Sequence, residues 1–281
     1  MMAGLKSTQN AMAMHSLWSA GMAIALMTIA LWRYFRGLPG SVEMLYFMAL
    51  ALFHGIFAIW FWQGRQLTAF VHASVVARLL TGSVYLVTAW LVYEADGSIE
   101  LPEAAIKGYL VYLLLQGTVD LAGSVLTWTA LAGPQQTASP DPTSADRKLS
   151  LEIKNRFAFA IYMLFLGAWV LLATESFLSV FHLPATLFPS WNATDAFISG
   201  PVHLFAVQVI VLAIYNLVAV RYRLARLISA GIRGGLFTCV FVLLLVVAGI
   251  LHPITLLLPA VDLISVGFIL SHRLVGLIKA A

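Results

Sequence analysis

The chain has 281 residues, of which 61% are hydrophobic and only 10% charged, against about 25% charged in an average soluble domain. Its formal charge of +4 comes from Lys and Arg in short clusters beside apolar runs, the placement that sets membrane topology, and this argues against a nucleic-acid partner. The single Cys239 excludes an internal disulfide and a cysteine-based metal cage, and in its apolar segment it reads as a small core filler.

Crossing the hydrocarbon takes about 20 apolar residues per helix. Segments 14–32, 44–62, 73–93, 108–131, 157–174, 196–220, 234–251 and 254–271 meet that length. The expected fold is therefore all-α, a polytopic membrane protein with eight transmembrane helices. The first segment, SLWSAGMAIALMTIALW, is followed by RYFRG without a clear cleavage site, so it is expected to remain as a helix. The one long polar interval, residues 133–156, is rich in Pro, Ser and Asp and reads as an exposed linker. It separates a first four-helix repeat, 1–132, from a second, 157–281. Each half has a basic stretch between its second and third helices, and each ends on a helix carrying Val-Asp-Leu. Because four crossings return the chain to its starting side, the repeats are expected to be parallel.

Orientation follows from the loops. Arg65, Arg78, Arg147, Lys148, Lys154, Arg156, Arg221, Arg223, Arg226, Arg233, Arg273 and Lys279 fall on one side of the eight-helix arrangement. The positive-inside rule then makes both termini cytoplasmic, with the endoplasmic reticulum the expected membrane in a eukaryote. Arg33 and Arg36 depart from the rule. Asn192 heads an Asn-Ala-Thr glycosylation triplet in a loop expected on the opposite side.

Helical spacing gathers the isolated polar residues into faces. Tyr109, Tyr112, Gln116, Asp120, Gly123 and Thr127 form one stripe on the fourth segment. Arg78, Thr81, Tyr85 and Thr88 form another on the third, and Glu43 and His54 share a face of the second. His252, Thr255, Asp262 and Ser265 line the eighth. An ionised Asp at mid-bilayer costs about 2.5–3.5 kcal/mol on insertion scales, so each Asp needs a partner. One reading is a structural ion pair in each half, Asp120 with Arg78 and Asp262 with Arg233. The other makes the first-half stripe the wall of a cavity between the second, third and fourth helices, with Asp120 as its acid. If Arg78 holds Asp120, then Glu43 or Glu175, both near helix ends, become the candidate acids.

His54 and His203 raise the question of haem ligation, but they do not occupy equivalent positions, and an interior histidine with a hydrogen-bond partner accounts for each. The sequence shows no P-loop, GxGxxG, HExxH or GxSxG pattern. No metal and no cofactor is expected. Interfacial belts absorb many of the aromatics, while Trp60, Tyr85 and others inside the helices either pack or line a pocket whose faces stabilise a cation.

The Arg at the start of the third helix and the Asp within the fourth, in each half, resemble the small four-helix DoxX-like membrane proteins, here apparently duplicated. In size, helix number and lack of a cofactor motif the chain also resembles the membrane-bound terpene cyclases of fungal meroterpenoid pathways. That second resemblance implies an enzyme that protonates a prenyl chain or its epoxide and guides a cation to ring closure. It implies intramembrane acids as catalytic residues: Asp120, then Asp262, Glu43 and Glu175. The expected function is accordingly acid-initiated cyclisation or isomerisation of an isoprenoid-type substrate dissolved in the lipid bilayer. Asp120 would donate the proton, and Arg78, Tyr85, Tyr112 and Gln116 would neighbour it. His54 and Trp60 would line the pocket. The alternative is a non-enzymatic duplicated DoxX-like protein, an assembly partner or small-solute conduit. A transporter of parallel repeats fits less well, because Pro201 and Pro259 do not match in position.

Overall fold

The structure, a computed structural model, describes residues 2–35, 42–94, 103–131, 147–182 and 200–278. The described residues are almost all helical, with no strand among them. The helices are α1 (Met2–Phe35), α2 (Val42–Gly64), α3 (Thr68–Glu94), α4 (Glu103–Leu131), α5 (Arg147–Leu172), α6 (Thr174–Val180), α7 (Gly200–Arg221), α8 (Ala225–Val247) and α9 (Leu257–Ile278). A 3-10 turn, Pro253–Leu256, precedes α9.

Among the described residues, seven helices are long and apolar enough to cross a membrane: Ser7–Trp32, Phe47–Gly64, Thr68–Glu94, Lys107–Leu131, Glu152–Leu172, His203–Arg221 and Ala225–Val247. The eighth apolar stretch opens at Pro253 and continues into α9, and the chain turns before it. The Gly249 backbone takes φ +71, a left-handed conformation that glycine adopts without the Cβ penalty. The N–H groups of Ile250 and Leu251 then close on the Leu245 carbonyl. The fifth helix begins at Arg147, well before the expected 157, so the basic end of the expected linker is helical. The short α6 was not expected from the sequence. Residues 133–146, the expected centre of the linker, lie outside the described residues, as does Asn192.

The packing has a recurring pattern. In the first half α1 packs on α2 and α4, and α3 on α4. In the second, α5 packs on α7 and α9, and α8 on α9. The halves meet where α3 touches α7 and where α2 touches α8 and α7. The junction is aromatic. Trp60, Phe61 and Phe70 surround Tyr215, with ring centroids 5.0 to 6.1 Å from it, and all four are almost fully buried. Phe61 and Phe70 meet Tyr215 edge-to-face, an arrangement that adds about 0.5–1.5 kcal/mol per pair beyond its area. At the α2–α3 turn a Cβ on Gly64 would stand 2.0 Å from the Phe70 ring. Glycine there lets Phe70 reach the junction.

Candidate functional site

Two polar clusters lie inside the helical body, one in each half, and each is centred on an aspartate. In the first, Asp120 on α4 is buried. Its Oδ1 lies 3.3 Å from His15 Nε2 on α1 and accepts a hydrogen bond from Gln116 Nε2 at 3.2 Å. Its Oδ2 accepts from the Thr81 hydroxyl at 3.0 Å. Trp18 Nε1 donates to Gln116 Oε1 at 2.9 Å, which fixes the amide with its NH2 toward the carboxylate.

The expected Arg78–Asp120 clasp is not formed. Arg78 Nη2 donates to Thr127 Oγ1 at 2.8 Å and Nε to the Ser74 carbonyl, while Nη1 has no hydrogen-bond partner among the described residues. His15 takes the place beside Asp120 because α1 packs against α4 and presents Thr8, Met12, His15, Ser16 and Ser19 as a buried stripe. Next to this cluster His54 Nε2 and the Tyr112 hydroxyl are 3.1 Å apart, the Tyr112 and Tyr85 hydroxyls 3.3 Å, and Gln208 Nε2 donates to the Tyr85 hydroxyl. The hollow among these groups measures about 20 Å³. A water needs about 10–15 Å³ by this measure, so the space beside Asp120 admits about one water and no organic substrate.

The larger space is elsewhere. A cavity of about 240 Å³ lies between α2, α5, α7, α8 and α9, and it reaches the carboxyl of Asp262. Ligand pockets run upward from about 300 Å³, so this one falls just below that range. Its walls are apolar apart from a few groups, chiefly Asn216, Thr238, Tyr162 and Asp262. Trp60, expected near Asp120, lines this cavity instead. The expected hollow between the second, third and fourth helices is therefore displaced to the junction of α2 with the second half.

Asp262 is also partnered differently from expectation. Arg233 is exposed and turns to Ser229, because the buried face of α8 runs through Leu227, Ala230, Gly231, Gly234 and Gly235. The cation near Asp262 is Arg156 on α5, whose Nη1 stands 3.9 Å from Asp262 Oδ1. Arg156 is 1% exposed and its guanidinium lies 5.1 Å from the Phe159 ring centre. None of its nitrogens makes a hydrogen bond among the described residues. Asn216 Nδ2 donates to the Leu212 carbonyl at 2.8 Å, leaving Asn216 Oδ1 buried without a donor.

Some lining residues of the two hollows share a helical spacing. On α3 the small hollow meets Arg78, Thr81 and Tyr85; on α8 the large one meets Gly231, Gly234 and Thr238 at the same intervals. His54, Phe57 and Phe61 on α2 match Val209, Leu212 and Asn216 on α7 in the same way.

The two remaining expected acids are Glu175 and Glu43. Glu175 is exposed on α6, and Glu43 is on the first turn of α2, its side chain outside the described residues. Sequence reasoning missed His15, Trp18, Arg156, Gln208 and Asn216. Among the described residues no group of three or more His, Cys, Asp or Glu is placed to hold a metal ion. No family model, no curated protein and no solved structure matches the chain.

Proposed function

We propose that the chain is an integral membrane enzyme of two parallel four-helix repeats, which takes an isoprenoid-type substrate from the bilayer and starts its rearrangement by proton transfer from Asp262. The observation that carries this reading is the Asp262 carboxyl at the wall of an apolar cavity. The repeat is supported by the recurring helix contacts and by the two pairs, His15–Asp120 across α1 and α4 and Arg156–Asp262 across α5 and α9. In this register Gly231, not Arg233, corresponds to Arg78.

The chemistry needs only protons. The Asp262 carboxylate, paired with Arg156 at rest, first takes up a proton from water, and the resulting carboxylic acid gives it to a double-bond carbon of the substrate, or to an epoxide oxygen whose C–O bond opens. The resulting carbocation is attacked by a second double bond, closing a ring. The Asp262 carboxylate, stabilised by Arg156, then takes a proton from a neighbouring carbon to leave an alkene. Trp60, Phe159, Tyr162 and Phe205 line the cavity, and aromatic faces attract the cation through their quadrupoles. Asp120 belongs to a filled counterpart of the site and has a structural role. A membrane of the endoplasmic reticulum, with cytoplasmic termini, remains the expected setting in a eukaryote.

The rival is the non-enzymatic DoxX-like protein, and one observation favours it: both aspartates face a basic side chain, as a pair of structural clasps would. Membranes containing the wild type or Asp262→Asn, incubated with a prenylated epoxide, separate the two. The enzyme reading expects a cyclised product from the wild type and none from the variant at equal protein level. Equal turnover by both removes Asp262 as the acid.

A further inference from the structure

The deep end of the cavity carries more information about the ligand than its apolar walls do. At Gly231, the point where a side chain would begin lies 3.1 Å from Asn216 Oδ1 and 3.6 Å from Arg156 Nη1. Neither atom has a hydrogen-bond partner among the described residues. The acceptor character of Asn216 is fixed by its other end: the Leu212 carbonyl can only accept, so the NH2 faces it and the oxygen faces the space over Gly231. An unsatisfied buried acceptor and an unsatisfied buried donor thus flank Gly231, with Trp60 Cζ2 3.2 Å from the same point, and Trp60, Asn216 and Gly231 all line the apolar cavity.

We infer that the cavity wall beside Gly231 and Asn216 receives the hydroxyl of an otherwise apolar, isoprenoid-like ligand, the O–H donating to Asn216 Oδ1 and the oxygen accepting from the Arg156 guanidinium. The inference rests on the reading of this cavity as the substrate site and names the head group that the site selects. A carboxylate or phosphate has no proton for Asn216 Oδ1 and would lie close to the Asp262 carboxyl. An ammonium would face Arg156. An ether or ketone satisfies Arg156 and leaves Asn216 unpaired. A hydroxyl is the small group that serves both, because it donates and accepts at one atom.

The test uses three probes of one chain length: farnesol, farnesyl methyl ether and farnesoic acid. Each is titrated into the full-length protein in nanodiscs. Farnesol is expected to bind about tenfold more tightly than the ether or the acid, a difference of about 1.4 kcal/mol. In Asn216→Leu, which removes the acceptor at similar volume, the alcohol and the ether should bind equally. Gly234→Leu serves as the cavity control, since a Cβ there meets Ile56 only at ordinary contact, 3.6 Å, while the longer side chain fills the hollow; all three probes should lose binding. If Asn216→Leu does not fold, the wild-type ranking alone decides. Binding without a head-group preference, as water over Gly231 would give, or with the acid tightest, overturns the hydroxyl assignment and leaves the cavity reading standing. No binding of any probe to the wild type brings down both.

Discussion

The Asp262 carboxylate lies against the bare backbone of Gly235, so close that a Cβ there would stand 2.3 Å from Oδ1. This contact lets α8 and α9 approach while an acid side chain occupies their interface. Gly235→Ala must displace the carboxylate, and overpacking of a filled interior costs typically about 1–3 kcal/mol. A lowered melting temperature is expected for Gly235→Ala and none for Gly234→Ala, whose Cβ has room. Asp262→Ala should cost less stability in the Gly235→Ala background than in the wild type if the clash is the cause. Equal melting of the two glycine variants would contradict the close approach.

Asp120 should behave as a packing residue. His15, Thr81 and Gln116 all point polar atoms at its carboxylate, and no organic ligand fits beside it. Leaving a buried donor unsatisfied costs about 1–3 kcal/mol. Asp120→Ala is therefore expected to lower stability by that order and to leave farnesol affinity unchanged once corrected for folded protein. A loss of affinity without a loss of stability would move the ligand site back to the first half.

The sequence makes the two intramembrane acids conspicuous, since an aspartate amid Leu, Val and Ile is visible without any structure. Their partners were not legible, because a helix face shows its own period but not which neighbour it meets. Arg156 stands at the end of a polar, Pro-containing stretch and reads as a topology charge; only the early start of α5 turns it inward beside Phe159 and Asp262. His15 sits one residue inside the expected first span, yet its alignment with Thr8, Met12 and Ser19 was a usable signal. The cavity was the least legible feature. It results from side chains that are absent at Gly231 and Gly234, and from the orientation that puts Arg233 on the other face of α8.

Asp262→Asn separates catalysis from binding. Asn keeps the shape and one acceptor oxygen for Arg156 but has no acidic proton. Loss of a general acid typically removes about 10²–10⁴-fold in rate. Product formation from a prenylated epoxide should fall by at least the lower figure, with probe affinity within about threefold of wild type. A matching fall in affinity would assign Asp262 to binding instead.

The Arg156–Asp262 pair offers a test that does not depend on turnover. A buried charge left without its partner costs about 3–5 kcal/mol, whereas replacing both members with apolar side chains of similar volume is often neutral or stabilising. Asp262→Leu alone leaves the guanidinium of Arg156, 1% exposed, without its counter-charge, so a large drop in melting temperature is expected. Arg156→Met combined with Asp262→Leu should restore wild-type stability or exceed it. On the enzyme reading, the restored double variant is folded but inactive. The pair is then retained for chemistry at some expense of stability. Should the double variant be as unstable as Asp262→Leu, the two residues are not energetically coupled, and the 3.9 Å approach carries no ion pair.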